Sequence, residues 1–344
     1  MELLTFAKVK EICTDPKHRP KLLIGNGFSI ACCPDIFTYR SLLAEANFDG
    51  LSRYSRSVFD SLGTNDFELV IKALLEAAQI AKHYEASDAE FIQSLEADAN
   101  GLKDQLAKTI AARHPDHPSE ITEDKYRCCR EFLSAFQSVY SLNYDLLLYW
   151  TILHEQEGYA HVESDDGFRR GNLGPCGYVC WDTLEAPSQT IHYMHGALHL
   201  FDRGSEFVKY TWNDTSVRLM DQIRASLDAG RFPRIVAEGT SPEKLNRIVH
   251  CAYLHKALRS LMNIGGDLVI YGMSIMPNDD HILDAIVRGK VKRVFVGIYG
   301  DPKEPANQAL IERAEALATK RLGEKAKNPL EVFFFDSATA KVWG

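Results

Sequence analysis

The sequence predicts an α/β protein with a doubly wound, mainly parallel Rossmann-like sheet. The first observation is a short apolar run, Lys21–Ile24, that ends abruptly in the turn Gly25-Asn26-Gly27. The second is the regular alternation of apolar runs with helical patterns in the last third of the chain. Strands that alternate with helices at this spacing are typical of a parallel sheet covered on both faces.

Length and composition place the chain among globular proteins. Of its 344 residues, 45% are hydrophobic and 25% are charged. This length allows one large domain or a domain with a sizeable insertion, and we expect a single domain over residues 1–344. The formal net charge of −8 argues against broad contact with a phosphate backbone, so direct nucleic-acid binding is not expected.

The sequence predicts a cytoplasmic protein without membrane contact. No segment approaches the run of about 20 apolar residues that spans a bilayer, and the N-terminal residues lack the layout of a signal peptide. Among the eight cysteines, only Cys176 and Cys180 are spaced to share a metal ion, and no second pair lies near them. Free thiols in a reducing compartment are the better interpretation, and no metal site is expected.

The glycine turn after the first strand is a candidate binding site for phosphate. Gly25 and Gly27 allow the backbone to turn tightly, and a helix that follows would add its positive N-terminal end to bare N–H groups. A tight strand-to-helix connection is the competing explanation. The next segment, residues 30–39, predicts either a loop over the ligand or a surface loop anchored by Phe37 and Tyr39.

Residues 65–136 are predicted to form a mainly helical insertion. Asn65 and Glu68 have the spacing of a capping box, and apolar residues follow at helical spacing. The insertion is expected to serve either as a surface for partner proteins or as a lid packed on the sheet. His114 and His117, in a proline-rich turn, are expected in a solvated loop.

A second strand end carries two polar candidates. Val139–Leu142 suits a strand and Leu146 suits the start of a buried helix, which places Asn143 and Asp145 at the carboxyl end of the strand. Ligands bind at this edge of open α/β sheets. In the competing interpretation, Asp145 caps the next helix and Asn143 shapes the turn.

A histidine further along the chain is a candidate proton acceptor. Residues 155–190 are rich in glycine and predict an irregular, loop-rich lobe. The strand pattern over 190–201 then breaks at His195, where a following glycine lets the chain turn and the imidazole face a cleft. A core or surface role for His195 is equally compatible with the pattern, and His192 and His199 compete with it.

The last third begins with a helix for which Ser241 is the expected N-cap, with Pro242 in the first turn. Three apolar runs then predict buried strands separated by helices. These runs are Asp267–Gly272, Val291–Ile298 and Leu330–Phe335.

Four short motifs, taken in order, resemble a known family. They are Gly25-Asn-Gly-Phe-Ser29, Ser141-Leu-Asn-Tyr-Asp145, His195-Gly196 and Tyr271-Gly-Met-Ser274. Their order and positions are similar to the sirtuin-type NAD-binding fold, which carries Gly-Ala-Gly-x-Ser, Thr-Gln-Asn-x-Asp, His-Gly and Gly-Thr-Ser. With Asn in the glycine turn and Asp-Asp-His-Ile at 279–282, the chain most resembles the sirtuin-like domains of bacterial antiphage defence proteins.

The resemblance assigns roles to particular residues. It implies that Asn143 orders the attacking water or the ribose hydroxyls, that Asp145 braces this geometry, and that His195 accepts a proton from a ribose hydroxyl. The residues implied to hold the phosphates and the adenosine half of NAD are Gly25, Asn26, Gly27, Phe28, Ser29, Gly272, Ser274 and Asp301.

The resemblance also implies an activity. The chain has no Cys-x-x-Cys with which to build the four-cysteine zinc module of family deacylases, and no recognisable loop for gripping an acyl-lysine peptide. We therefore expect an NAD+ glycohydrolase that yields nicotinamide and ADP-ribose and requires no metal, acting as an NAD-depleting effector in antiphage defence. The alternatives are an NAD-dependent protein deacylase or ADP-ribosyltransferase, and a non-catalytic sensor of NAD or ADP-ribose. Family resemblance further implies a homo-oligomer and a HerA-type ATPase partner.

Overall fold

The computed structural model describes residues 2–13, 19–84, 88–170, 177–182, 188–204, 206–211, 217–237, 240–324 and 328–344. Cys176, one of the two cysteines whose spacing would allow a shared metal ion, lies outside these ranges. The strands are β1 (Lys21–Ile24), β2 (Val139–Ser141), β3 (Phe168–Arg169), β4 (Tyr178–Trp181), β5 (Ile191–Tyr193), β6 (Leu200–Asp202), β7 (Phe207–Tyr210), β8 (Gly265–Tyr271), β9 (Lys290–Ile298) and β10 (Glu331–Asp336).

Helices make up much of the remaining described chain. They are α1 (Phe6–Ile12), α2 (Gly27–Cys32), α3 (Pro34–Phe37), α4 (Tyr39–Glu45), α5 (Ser55–Leu62), α6 (Phe67–Ala81), α7 (Ala89–Arg113), α8 (Glu123–Ser134), α9 (Leu147–Leu153), α10 (Leu219–Asp228), α11 (Ser241–Val249), α12 (Ala252–Asn263), α13 (Asp280–Arg288) and α14 (Pro305–Gly323). Across the described ranges, no helix combines the length and apolar character needed to cross a membrane.

Six parallel strands form the central sheet, in the order β10-β9-β8-β1-β2-β5. Numbered by their succession along the chain, these strands lie in the spatial order 3-2-1-4-5-6, which is the order of Rossmann folds. Leu22, Leu23 and Ile24 of β1 are fully buried between two neighbouring strands. The predicted α/β class and mainly parallel sheet are therefore confirmed.

The chain between β1 and β2 is helical over most of its length, from α2 to α8. The two long helices predicted after residue 65 are present as α6 and α7. The predicted cap is displaced by one residue, because the Asp66 carboxylate, and not the Asn65 side chain, accepts the Glu68 backbone N–H at 2.9 Å. The prediction of a loop over residues 30–39 is wrong, because α2, α3 and the start of α4 lie in this segment.

His114 is buried, and its expected place in a solvated loop is wrong. Its Nδ1 lies 2.9 Å from the Pro115 carbonyl oxygen, and its Nε2 accepts the Leu146 N–H at 3.0 Å. Burial lowers the pKa of this imidazole to about 4, so the ring is neutral at pH 7. His117 is exposed, as predicted, and its ring caps the short 3₁₀ turn that begins at Pro118.

A second, antiparallel sheet of four strands follows, in the order β3-β4-β7-β6. The predicted irregular lobe at 155–190 therefore contributes two strands to a small sheet that continues to Tyr210. Glycine content led to the loop prediction, whereas the sheet depends on pairing with β7, which lies later in the chain. The parts of the predicted lobe at 171–176 and 183–187 lie outside the described residues.

Candidate functional site

The described residues form a cavity of about 800 Å³ at the carboxyl ends of the central strands. It lies where the chain order of the sheet reverses, between β1 and β8, with β2 and β5 on one side. Ligands of open α/β sheets bind at this crevice. The predicted site residues that line the cavity are Gly25, Asn26, Gly27, Asn143, Asp145, His195, Gly272 and Ser274.

Two turns cross so closely at the cavity that there is no room for a side chain at their glycines. A Cβ on Gly25 would lie 2.7 Å from the Gly272 carbonyl oxygen, and a Cβ on Gly27 would lie 2.6 Å from the Gly272 Cα. Gly272 itself has φ +68°, a conformation that favours glycine. Larger side chains at these positions would push the two strand ends apart.

The expectation of several bare N–H groups in the first turn is wrong. The N–H groups of Gly25 and Gly27 donate to the carbonyl oxygens of Tyr271 and Gly272, and that of Phe28 donates to Gly25. The competing interpretation, a tight connection between strand and helix, accounts for these contacts. Any phosphate at this turn must therefore be held by other donors as well.

Two residues of the first motif lie beneath the cavity and do not line it. Phe28 is fully buried, packs against Trp343 with ring centroids 5.0 Å apart, and accepts the Trp343 indole N–H on its carbonyl oxygen at 2.8 Å. Ser29 is also fully buried. Trp343, near the C-terminus, lines the cavity in place of Phe28.

Ser29 links the two polar residues at the end of β2. Its hydroxyl donates to Asp145 Oδ2 at 2.5 Å and accepts from Asn143 Nδ2 at 2.8 Å. Because the hydroxyl has one hydrogen and gives it to the carboxylate, the Asn143 amide must present its nitrogen to Ser29. Asn143 Oδ1 therefore points elsewhere, and it is buried without a hydrogen-bond partner among the described residues.

Asp145 makes one contact at the start of the next helix and another at the cavity. Its Oδ1 accepts the Leu147 N–H at 2.8 Å at the start of α9, and its Oδ2 anchors the Ser29 network at the cavity. Burial raises the pKa of this carboxyl, while the Ser29 hydroxyl and the Leu147 N–H oppose the rise.

His195 faces a second histidine that sequence reasoning did not assign to the site. Its Nε2 lies 2.9 Å from Nε2 of His281, at the start of α13. His281 in turn lies with Nδ1 3.2 Å from Ser241 Oγ, and its backbone N–H donates to the same hydroxyl at 2.6 Å. Burial, and the positive charge of Lys244, lower the pKa of both imidazoles, so both rings are neutral and one hydrogen lies between the two Nε2 atoms.

The expected cap role of Ser241 is wrong, which explains why its contact with His281 was missed. Thr240 precedes α11, and both its N–H and its hydroxyl donate to the Glu243 carboxylate, at 2.7 and 2.9 Å. Ser241 is the first helical residue, so its hydroxyl is available to His281.

Two carboxylates contact Lys244 on the side of the cavity where His195 lies. The fully buried Lys244 ammonium pairs with Glu68 and lies 3.4 Å from Asp279 Oδ1. Glu68 also accepts hydrogen bonds from Tyr144 at 2.9 Å and Asn278 at 3.2 Å.

Carboxylates outnumber ammonium groups in this part of the described chain. Burial, followed by the charge of Glu68, raises the pKa of Asp66 to about 7, and burial raises the pKa of Asp279. The pKa of the Tyr39 phenol is also raised, by burial and by these carboxylates. This side of the cavity therefore favours a cationic group.

The other sequence candidates lie away from the cavity. His192 stacks on Tyr140 with ring centroids 4.7 Å apart, and His199 is fully buried beside Tyr149. Asp301 is exposed, does not line the cavity, and accepts the Lys303 N–H at 2.8 Å in the turn after β9. Of the three histidines that competed for a role, only His195 lines the cavity.

Sequence reasoning missed several residues that line or support the cavity: Tyr39, Asp66, Glu68, Ser241, Lys244, Asp279, His281 and Trp343. The signal for His281 was the motif Asp-Asp-His-Ile at 279–282, which lies where the connection from β8, ending at Tyr271, leads into α13. Glu68 and Lys244 lie 176 positions apart, and nothing local in the sequence connects them.

Fold and cavity together define an α/β protein with a cavity at the switch point of a six-stranded parallel sheet. The chain belongs to the family described as "Domain of unknown function (DUF4917)", whose model matches residues 22–343. No curated protein matches the sequence. The match spans nearly the whole described fold, and the residues that line the cavity lie within it, except for Gly344.

Proposed function

We propose that this protein is an NAD+ glycohydrolase, which cleaves NAD+ with water to nicotinamide and ADP-ribose. One observation carries the proposal: one cavity at the switch point of the sheet holds the Asn143 amide, whose oxygen has no partner among the described residues, together with the His195 imidazole. The resemblance to sirtuin-type proteins, drawn from the same residues, supplies the substrate.

The cavity suits a dinucleotide in size and position. Its volume lies within the range of about 300–1,000 Å³ typical of small-molecule sites. The close crossing at Gly25, Gly27 and Gly272 lets a ligand approach the backbone. Lys125 and Lys341 also line the cavity and supply positive charge for a pyrophosphate.

The charge distribution suits the other end of NAD+. The nicotinamide ring of NAD+ is cationic, and Asp66, Glu68 and Asp279 outnumber Lys244 on the histidine side of the described site. Binding the substrate there offsets the excess negative charge, which favours the dinucleotide in one orientation.

The reaction breaks the bond between nicotinamide and C1′ of the ribose. The electron pair of that bond leaves with nicotinamide, which becomes neutral, while positive charge builds on the ribose. Water attacks C1′, and its proton passes to the neutral His195, directly or through a ribose hydroxyl. Asn143 Oδ1 accepts a hydrogen bond from the ribose or from the water, and the Ser29–Asp145 network holds the amide in that orientation.

Antiphage effector activity, a homo-oligomeric assembly and a HerA-type ATPase partner are part of the proposal. They rest on the family resemblance alone, and not on the geometry of the cavity. The test for the effector role is whether expression lowers the NAD+ content of infected cells, with the Asn143→Ala variant as the comparison.

Purified protein is incubated with NAD+ and the products are separated by chromatography. We expect nicotinamide and ADP-ribose in equal amounts, a loss of turnover in Asn143→Ala and His195→Ala, and normal turnover in His117→Ala, a control on an exposed histidine. ADP-ribose recovered on protein would favour a transferase. Calorimetric binding of NAD+ without turnover, including when the protein is assayed in extract from infected cells, would favour a sensor.

A further inference from the structure

Two imidazoles and a carboxylate converge at one side of the cavity. Among the described residues, His195, Asp279 and His281 each offer a ligand atom, and these atoms all lie within 4.8 Å of one another. His195 follows β5, whereas Asp279 and His281 lie at the start of α13. We propose that His195 Nε2, His281 Nε2 and an Asp279 carboxylate oxygen bind a divalent transition-metal cation of the Zn²⁺ class.

The donor set matches the chemistry of such cations. Two histidine nitrogens and one carboxylate oxygen are the protein ligands of many catalytic zinc sites. The Nε2 atoms are 2.9 Å apart, whereas two nitrogen ligands on a tetrahedral zinc lie about 3.3 Å apart, as bond lengths of about 2.0 Å require. A displacement of a few tenths of an ångström is therefore enough to bring the two nitrogens to this spacing, and the Asp279 oxygen, which lies within 4.8 Å of both, moves closer to complete the site.

The protons can be arranged without ionising either ring. Each neutral imidazole carries one hydrogen, and a metal needs the lone pair of both Nε2 atoms. Metal binding therefore requires the hydrogen between the two Nε2 atoms to move to Nδ1 of the same ring, and the Nδ1 hydrogen of His281 can then be donated to Ser241 Oγ, 3.2 Å away. The serine thus supplies the outer hydrogen bond that ligating histidines almost always make.

Local charge also favours a cation. Lys244 is the nearby positive group, and Glu68 neutralises it through a direct ion pair. Asp279 contacts Lys244 through one oxygen at 3.4 Å, which leaves its second oxygen for a metal. Asp66, also on this side, adds a further carboxylate.

The site has a consequence for catalysis that rests on the proposed function. A metal on His195 Nε2 occupies the lone pair with which that ring accepts a proton, so the metal-bound protein should hydrolyse NAD+ more slowly than the metal-free protein. Metal binding itself does not depend on NAD+ and can be measured without it.

The test uses full-length protein without an affinity tag, treated with a chelator and dialysed. Zn²⁺ is titrated by calorimetry, and Co²⁺ by the visible absorption that tetrahedral cobalt gives. We expect one ion per chain, with affinity at least about tenfold weaker in His281→Gln, Asp279→Asn and Ser241→Ala. His83→Ala, on an exposed histidine outside the cavity, is the matched control and should bind as the parent protein does.

His281→Gln keeps a side chain of similar size and polarity, and circular dichroism confirms that the variants are folded. Equal affinities in the parent and in folded His281→Gln, or an affinity that falls as much in His83→Ala, would overturn the proposal. Inhibition of NAD+ hydrolysis by Zn²⁺ is measured separately, so a protein that binds the metal and hydrolyses no NAD+ would refute the proposed function alone.

Discussion

Replacing Ser29 with alanine should cost far more stability than the loss of one hydroxyl suggests. The side chain is fully buried and joins Asn143 to Asp145 by two hydrogen bonds. Alanine fills nearly the same space but leaves the Asn143 amide hydrogen and Asp145 Oδ2 each short of a partner.

The magnitude follows from those two orphaned groups. An unsatisfied buried polar group costs about 1–3 kcal/mol, and more when it is charged. Two such groups, one of them a carboxylate, give an expected loss of about 4 kcal/mol in the free energy of unfolding. This is a large fraction of the roughly 5–15 kcal/mol that stabilises a typical domain.

The loss should also depend on pH. Because the Ser29 hydroxyl opposes the burial-induced rise in the Asp145 pKa, the variant has a still higher pKa at this carboxyl. A carboxyl whose pKa is raised in the folded state loses stability as pH increases through that pKa. The difference between parent and variant should therefore be larger at pH 8 than at pH 5.

Urea unfolding, followed by circular dichroism, measures the difference. Ser141→Ala is the matched control, since its buried hydroxyl accepts only the uncharged Asn143 N–H, at 3.1 Å, and its loss should cost about 1 kcal/mol. If Ser29→Ala and Ser141→Ala are equally stable, or if the penalty is the same at both pH values, the charged network does not contribute as argued.

Three further predictions follow from buried polar groups. Asn143→Ala should change stability by less than about 1 kcal/mol, because the lost contact with Ser29 is offset by removal of an oxygen that has no partner among the described residues. The same variant should bind NAD+ at least about tenfold more weakly by calorimetry. The folded parent protein should lose stability as pH drops below 6.5, because the His114 pKa of about 4 lies below that of a free histidine. Between pH 7 and pH 5, the free energy of unfolding of His114→Gln should therefore fall by about 2 kcal/mol less than that of the parent. The control variant, His117→Gln, should behave as the parent does. Asp66→Asn keeps an oxygen that can accept the Glu68 N–H and removes a carboxyl whose pKa is about 7. The variant should therefore be more stable than the parent at pH 8, by at most about 4 kcal/mol before solvent screening is considered. At pH 4 the two proteins should be equally stable.

The sequence was most informative where one local pattern predicts both a strand and a residue of the candidate site. The strand at Lys21–Ile24 and its glycine turn predict a central strand end, and Asn143 and Asp145 are marked as cavity residues because they follow a strand directly. The edge of a parallel sheet gathers all such strand ends, so their meeting follows from the fold class.

What the sequence could not predict depends on contacts across the chain. His114 has the sequence surroundings of a surface turn, and distant contacts explain its burial: the Leu146 N–H, 32 positions away, and the Trp150 ring, whose centroid lies 4.6 Å from that of the imidazole. Ser241 has the local pattern of a helix cap, but Thr240 occupies that position, and the Ser241 hydroxyl lies at His281. Local propensity cannot rank such alternatives, because tertiary contacts decide between them.

One polar atom at the cavity lowers the stability of the protein and is available to bind a ligand. On the β2 side, the Ser29 hydroxyl and the Asp145 carboxyl are hydrogen-bonded to each other. Asn143 Oδ1, in contrast, has no hydrogen-bond partner among the described residues. A buried acceptor without a donor is destabilising unless a ligand supplies one. Since the same amide is fixed in orientation by the hydrogen bond that it donates to the Ser29 hydroxyl oxygen, a ligand that donates to Asn143 Oδ1 regains this free energy without reordering the site. We therefore expect the ligand to raise the thermal stability of the parent protein more than that of Asn143→Ala.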